Sequence, residues 1–271
     1  MPYILTLLAI LAAIPLLWRF AIGGRKGQPL LSKLRGWDYA HRGLHGEGRP
    51  ENSMAAFRAA LEGGYGIELD VHLLKDGSLA VIHDSKLLRT TGEEGIVEDL
   101  TQADLPHYRL EGTDQTIPTF REVVELFAGK APMIVELKVH DNDCAALCQA
   151  TCDLLDGYDT VYCLESFDPR CIRWLKKHRP DLIRGQLTEN YFKSPASPLP
   201  KILKWILKHS LSNFLTRPDF VAYRYRDRLD TPSNRFLLKT ITGVTWTVQT
   251  REEMDTAKKE GWICIFENFE P

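Results

Sequence analysis

From residue 38 onward the chain alternates short apolar, β-branched runs with longer stretches whose apolar residues recur every three to four positions. Eight runs read as strands, over 38–43, 66–73, 79–84, 133–139, 161–167, 183–189, 220–225 and 243–249. Helical spacing marks ENSMAAFRAALEGG, TFREVVELFAG, NDCAALCQATCDLLDG, DPRCIRWLKKH and REEMDTAKKEG. Gly63 and Gly64 close the first of these and Pro118 precedes the second, as helix ends and starts require. Strand followed by helix, repeated, is the pattern of βα units on a parallel sheet. Eight strands in a body of this length predict an α/β fold, the closed (β/α)8 TIM barrel. Only LKDGS separates 66–73 from 79–84, a turn instead of a crossover helix, so one unit is irregular.

The N-terminal stretch PYILTLLAILAAIPLLWRFAI, residues 2–22, carries Arg19 as its single charge. About twenty apolar residues can span a bilayer as a helix. AIGG offers small residues for a signal peptidase, but the basic start of a signal peptide is missing. The stretch therefore predicts a transmembrane anchor over 1–23, then a basic neck over 24–36 and the barrel domain over 37–271. Bases follow the span and none precedes it, which predicts a single-pass membrane protein with a cytoplasmic catalytic domain.

The composition, with 44% apolar and 26% charged residues, is that of an ordinary globular protein. The net charge of −2 conceals an asymmetry, since five of the 34 bases and none of the 36 acids precede residue 36. The acidic body that remains excludes a general nucleic-acid binder. Cys144, Cys148 and Cys152 fall at i, i+4 and i+8 of one helix, a stripe that suits core packing. No CxxC occurs, so no zinc site is expected, and reduced thiols suit the cytoplasm.

Residues 191–217 hold five bases and no acid, and from Lys201 their apolar residues recur with helical spacing. Two readings stay open for this basic amphipathic insertion. It lies on an anionic membrane surface, or it is a barrel helix whose lysines are merely solvated. Prolines at 195, 198 and 200 predict an excursion before the helix, as in a lid.

Ionisable residues cluster toward the C-terminal ends of the first four runs: His41 and Arg42, Glu68 and Asp70, His83 and Asp84, Glu136 and Lys138. Barrel enzymes place their chemistry at that face. Residues two apart on a strand point to one side, so Glu68 with Asp70, and Glu136 with Lys138, can share the lumen. Three carboxylates there repel unless a cation binds them, and an all-oxygen set suits one Mg²⁺ or Ca²⁺. His41 and His83 are the candidate acid and base, and Arg42 and Lys138 the cations for a phosphate.

The run AHRGLHGEGRPENSMAAFRAALEGGYGIELDVHLLKDGSLAVIHDSKLLRTTG, residues 40–92, resembles the glycerophosphodiester phosphodiesterase family. These are TIM-barrel phosphodiesterases of the phosphatidylinositol-phospholipase-C-like kind. The likeness continues through IPTFREVVEL, IVELK and TWTV. It implies a divalent-metal enzyme that hydrolyses glycerophosphodiesters to an alcohol and sn-glycerol 3-phosphate in lipid and glycerol metabolism. His41 and His83 match the acid/base pair. Glu68, Asp70 and Glu136 match metal ligands, Arg42 and Lys138 phosphate contacts, and Trp246 an aromatic residue near the glycerol. The resemblance also implies attack on phosphorus by the neighbouring glycerol hydroxyl and a cyclic phosphate that water then opens.

Three departures stand out. Leu74 replaces a frequent Thr, the segment RLEGTDQT before IPTF is short, and ICIFENF replaces the usual closing IITD. The last leaves Glu267 and Asn268 without an assigned role. Two alternatives remain beside the phosphodiesterase. One is a lysophospholipase D acting on membrane lysophospholipids, and the other a non-catalytic lipid-headgroup binding protein, against which the complete set of acid, base and ligands weighs. Nothing in the sequence selects the headgroup.

Overall fold

A computed structural model describes residues 2–194 and 197–271, with the side chains of residues 2 and 5–10 outside the described set. Its strands are β1 (Tyr39–His41), β2 (Gly66–Leu73), β3 (Leu79–Val81), β4 (Met133–Leu137), β5 (Tyr162–Ser166), β6 (Arg184–Thr188), β7 (Phe220–Arg224), β8 (Thr242–Val248) and β9 (Ile263–Phe266). The helices are α1 (Pro2–Ile22), α2 (Met54–Glu62), α3 (Leu88–Thr91), α4 (Phe120–Phe127), α5 (Cys144–Leu155), α6 (Pro169–His178), α7 (Lys201–Lys208), α8 (Asn213–Thr216), α9 (Pro232–Leu237) and α10 (Arg251–Lys259). Eight strands pair in parallel, in the order β1, β2, β4, β5, β6, β7, β8, β9, and β9 pairs with β1 to close the barrel.

The eight barrel strands are not the eight read from the sequence. The run 79–84 supplies β3, which pairs antiparallel with β2 outside the ring. The turn LKDGS is too short for a crossover to a parallel neighbour, so the chain can only fold back. ICIF, residues 263–266, is the eighth barrel strand instead.

Alternation sorts each strand's residues between two cores. Ile67, Leu69 and Val71 of β2 pack outward with Met133, Val135 and Leu137 of β4 against the helices. Ile134, Cys163, Ile183, Leu187, Phe220, Val244 and Ile265 form an inner apolar layer. Glu68, Asp70 and Glu136 therefore face inward, above that layer. Phe220 fills the lumen so closely that a Cβ on Gly185 would stand 2.1 Å from its ring.

The basic neck over 24–36 folds onto the barrel. Arg25 grips Asp219 through two bonds of 2.5 and 2.6 Å and also reaches the carbonyls of Pro180 and Leu182. These partners lie just before β6 and β7, at the N-terminal end of the barrel. Arg35 donates to Thr242 Oγ1 at 2.9 Å, and Leu34 enters the inner layer with 1% exposure. The segment is a strap that plugs the barrel floor.

The transmembrane anchor over 1–23 is not upheld. Among the described residues no helix is long and apolar enough to cross a membrane. The last turns of α1 belong to the barrel: Trp18 donates to Ser233 and packs on Phe236, Phe20 meets Phe214, and Asn213 donates to the carbonyl of a fully buried Ile22. That leaves the segment up to Leu17, about 24 Å of helix at 1.5 Å per residue. The hydrocarbon core needs about 30 Å.

Within 191–217, the stretch from Ser197 to Pro200 carries no regular secondary structure and the helix begins at Lys201, as the prolines predict; Pro195 lies outside the described residues. Leu207 of α7 is buried, while Ile202 and Trp205 are largely exposed.

Candidate active site

The HRG motif at the end of β1 explains itself locally. Arg42 has a left-handed φ of 54° and Gly43 one of 80°, and a Cβ on Gly43 would lie 2.8 Å from the backbone of Ala56 in α2. The turn thus brings α2 against β1 and points His41 and Arg42 over the mouth. There a cavity of about 210 Å³ is lined by His41, Arg42, Glu68, His83, Glu136 and Trp246, with Glu165, Phe167 and Glu189 beside them. Asp70 is fully buried at its base. Lys138 approaches Asp70 Oδ1 at 3.0 Å and Glu136 Oε1 at 2.7 Å. All eight residues read from the sequence converge on this mouth. His83 does so from the loop after β3, not from a barrel strand.

Each histidine is backed by a carboxylate. His41 Nδ1 lies 3.0 Å from Glu267, and His83 Nδ1 lies 2.7 Å from Asp84. These partners hold the Nδ1 proton and leave each Nε2 to accept a proton when the ring is neutral and to donate one when it is protonated. Burial lowers both imidazoles from their ordinary range, and His83 falls to about 4. Asp84 is tied to Arg89, which also grips Glu51, and Glu51 accepts from Arg42 at 3.0 Å.

Glu68, Asp70 and Glu136 each offer an oxygen within 4.8 Å of the others. Burial, with Asp70 and Glu136 alongside, pushes Glu68 well above the usual carboxylate range. Burial also raises Glu136. Asp70 is held well below its range despite burial, by Lys138, His83 and Arg42. Its Oδ1 has no aligned hydrogen bond, and Asn52 donates to Oδ2 at 2.9 Å. A buried trio of carboxylates, two of them resisting ionisation, fits a hard divalent cation.

Several contributors escaped the sequence reading. Glu267 at the end of β9 bridges His41 and His45, at 3.0 and 3.1 Å, and these bonds hold it far below the usual carboxylate range. Its position in the divergent closing motif was the only signal. Glu51 and Asn52 stand in the quoted PEN motif, where Asn52 takes a left-handed φ of 54°. Glu165 on β5 is buried and unpaired at Oε2, which nothing in its local sequence announced.

The model of the glycerophosphoryl diester phosphodiesterase family matches residues 41–269. The chain belongs to that family. It is 45% identical over 111 residues to a glycerophosphodiester phosphodiesterase of Bacillus altitudinis, covering 38% of this chain and 45% of that one. Over 147 residues it is 37% identical to a lysophospholipase D of Rattus norvegicus, covering 49% of this chain and 44% of the other. These matches span less than half of either relative. Glycerophosphodiester phosphodiesterase 1 of Rattus norvegicus is 30% identical over 247 residues, 79% of this chain and 72% of that protein. Among solved structures, an Oleispira antarctica phosphodiesterase in complex with the product sn-glycerol-3-phosphate aligns with TM-score 0.69 at 21% identity, covering 86% of this chain and 93% of that one. A glycerophosphodiester phosphodiesterase of Thermotoga maritima aligns at 0.64 and 23% identity, over 86% and 95% of the two chains. Both establish that this family member has the fold of those enzymes.

Proposed function

We propose that the chain hydrolyses glycerophosphodiesters to an alcohol and sn-glycerol 3-phosphate. The observation that carries this reading is the pair of carboxylate-backed imidazoles facing one cavity with a buried trio of acids and two fixed cations. Glu68, Asp70 and Glu136 would hold one Mg²⁺ or Ca²⁺, which supplies positive charge against a phosphate oxyanion. Arg42 and Lys138 add charge-assisted contacts to the same group. One imidazole takes the proton of the glycerol hydroxyl as its oxygen bonds to phosphorus. The other gives a proton to the departing alcohol oxygen. Water then opens the cyclic phosphate with the two roles exchanged. Trp246, edge-on to Phe167 with centroids 5.6 Å apart, forms an apolar wall for the glycerol carbons.

The full-length chain should release sn-glycerol 3-phosphate from glycerophosphocholine or glycerophosphoethanolamine with Mg²⁺ or Ca²⁺, and not with EDTA. His41→Ala and His83→Ala should each abolish this. Turnover of neither diester, or activity that survives both substitutions, overturns the reading and favours a headgroup binder.

A second reading, lysophospholipase D activity, is favoured by a groove of about 770 Å³ beside the cavity. Phe167 and Glu189 belong to both, and Tyr191, Leu199, Leu203 and Leu207 make the groove apolar enough for one acyl chain. On α7, Lys201, Lys204 and Lys208 accompany the exposed Ile202 and Trp205, a composition suited to an anionic lipid surface. Leu203→Glu should then lower kcat/KM for lysophosphatidylcholine about tenfold and spare glycerophosphocholine. Equal loss on both substrates sinks the acyl-groove reading. Unchanged binding to anionic vesicles after charge reversal of the three lysines sinks the surface contact.

A further inference from the structure

Outside the cavity, the densest group of reactive side chains is a set of thiols between α5 and α6. Cys144, Cys148 and Cys171 bring their sulfurs within 4.8 Å of one another. Cys171 Sγ and Cys144 Sγ are 3.1 Å apart although 27 positions separate them in the chain. Cys144 opens α5 and Cys171 lies in the first turn of α6. Cys148, one turn along α5, touches the Cys171 carbonyl at 3.9 Å. Cβ atoms four apart on one helix stand about 5–6 Å from each other, wider than the roughly 3.5–4.5 Å a disulfide spans, so the bridging partner for Cys144 is the cysteine on the neighbouring helix.

Cys144 has the character of an attacking thiol. With 8% exposure it is the most accessible cysteine among the described residues, where the other five show 0–1%. The Cys171 thiol donates to it, and its contacts with Cys148 and Cys171 pull it below the usual thiol range. The Cys171 thiol is correspondingly raised. A lowered thiol with a second sulfur in contact is the arrangement of a reversible redox couple.

The pair stands directly behind the site wall. The loop before α5 begins at Lys138, and the turn before α6 carries Phe167 and Asp168, which line the mouth and its neighbouring cavity. Arg170 already clamps these two loops, donating to Asn142 Oδ1 at 2.9 Å and to the Asp141 carbonyl at 3.3 Å.

We propose that Cys144 and Cys171 form a reversible disulfide that covalently joins the β4–α5 and β5–α6 loops behind the active-site wall. With hydrogen peroxide as oxidant, the Cys144 thiolate attacks one peroxide oxygen, giving a sulfenic acid and hydroxide. The Cys171 sulfur then attacks the sulfenic sulfur, the S–S bond forms and water leaves with the Cys171 proton. Two electrons pass from the two thiols to peroxide, and a dithiol reductant reverses the change. The inference is independent of the substrate.

The full-length reduced chain, in chelator, is treated with peroxide and its thiols counted after denaturation. Trypsin isolates Cys171 on residues 171–173, while Cys144 and Cys148 share residues 139–170. The expected result is loss of two of six thiols, a bridge between those two peptides, and recovery on adding dithiothreitol. The bridge should vanish in Cys144→Ser and in Cys171→Ala and persist in Cys148→Ser. Oxidation should raise Tm by several degrees only where both cysteines remain. An unchanged thiol count, a bridge through Cys148, a sulfinic acid on Cys144 without a bridge, or one tightly held zinc or copper per chain would overturn the proposal.

Discussion

His41 turns its Nδ1 to one carboxylate oxygen of Glu267 at 3.0 Å, and the same oxygen lies 3.1 Å from Nε2 of His45. The contact fixes the imidazole tautomer and stabilises the imidazolium that forms when His41 takes a proton. Glu267→Gln keeps an acceptor and removes the charge. Its kcat should fall about 10- to 100-fold, a share of what general acid–base catalysis supplies, with KM nearly unchanged. An unaltered kcat, or a loss confined to KM, would show that Glu267 is merely structural.

Acid should weaken the metal-free fold through His83. Its pKa in the fold, about 4, lies below the ordinary 6.5, so the unfolded chain takes the proton first as pH falls. Stability is therefore intact above pH 6.5 and is lost as pH drops from 6.5 toward 4. His41, also lowered by burial, acts in the same direction. The imidazole of His83 keeps 30% exposure, so the effect is partial. Between pH 7 and pH 5, Tm in chelator should drop less for His83→Gln than for the parent chain. An equal drop refutes the assignment.

Divalent ions should stabilise the chain through the buried acids. At a hundred times Kd, an ion that binds only the folded state adds about 2.7 kcal/mol, and Tm should rise by about 5–10 °C. Asp70→Asn and Glu136→Gln should remove both this rise and the activity. Calorimetry with and without Mg²⁺ or Ca²⁺ decides it, and a rise retained in both variants places the ion elsewhere.

Leu34 should matter although it is far from the chemistry. Leu34→Ala opens a void in the inner layer and should cost about 2–5 kcal/mol. The midpoint of thermal unfolding should fall accordingly, with kcat at 25 °C preserved. A variant as stable as the parent would mean that the strap does not plug the floor.

Much of this architecture was legible in the sequence because alternation is unambiguous where polar and apolar residues take turns. Glu68 and Asp70 between Ile67, Leu69 and Val71 declare an inner and an outer face, and β2 has the bounds that were read. LAV and ICIF carry no such information. Three or four apolar residues read alike in an antiparallel excursion and in a barrel strand, so β3 was counted into the ring and β9 left out. Apolar helices are equally ambiguous. The run ending at Ile22 suits a bilayer by composition, and contacts with Asn213, Ser233 and Phe236, remote in sequence, decide against it. The site residues were legible through the ordered resemblance from 40 to 92. Glu267 was not, because its carboxylate acquires meaning only once β9 closes against β1 and sets it beside His41.

The grip of Arg25 on Asp219 bears on how the protein can be cut. A shortened chain that begins at residue 37 loses α1 together with the plug, and leaves the fully buried Asp219 without its cation. Altered membrane binding, solubility or turnover in such a fragment would mix the absence of the apolar helix with an open barrel floor. A cut before Trp18 separates the two, since it removes the unpacked part of the helix and leaves Trp18, Ile22, Arg25, Leu34 and Arg35 in place.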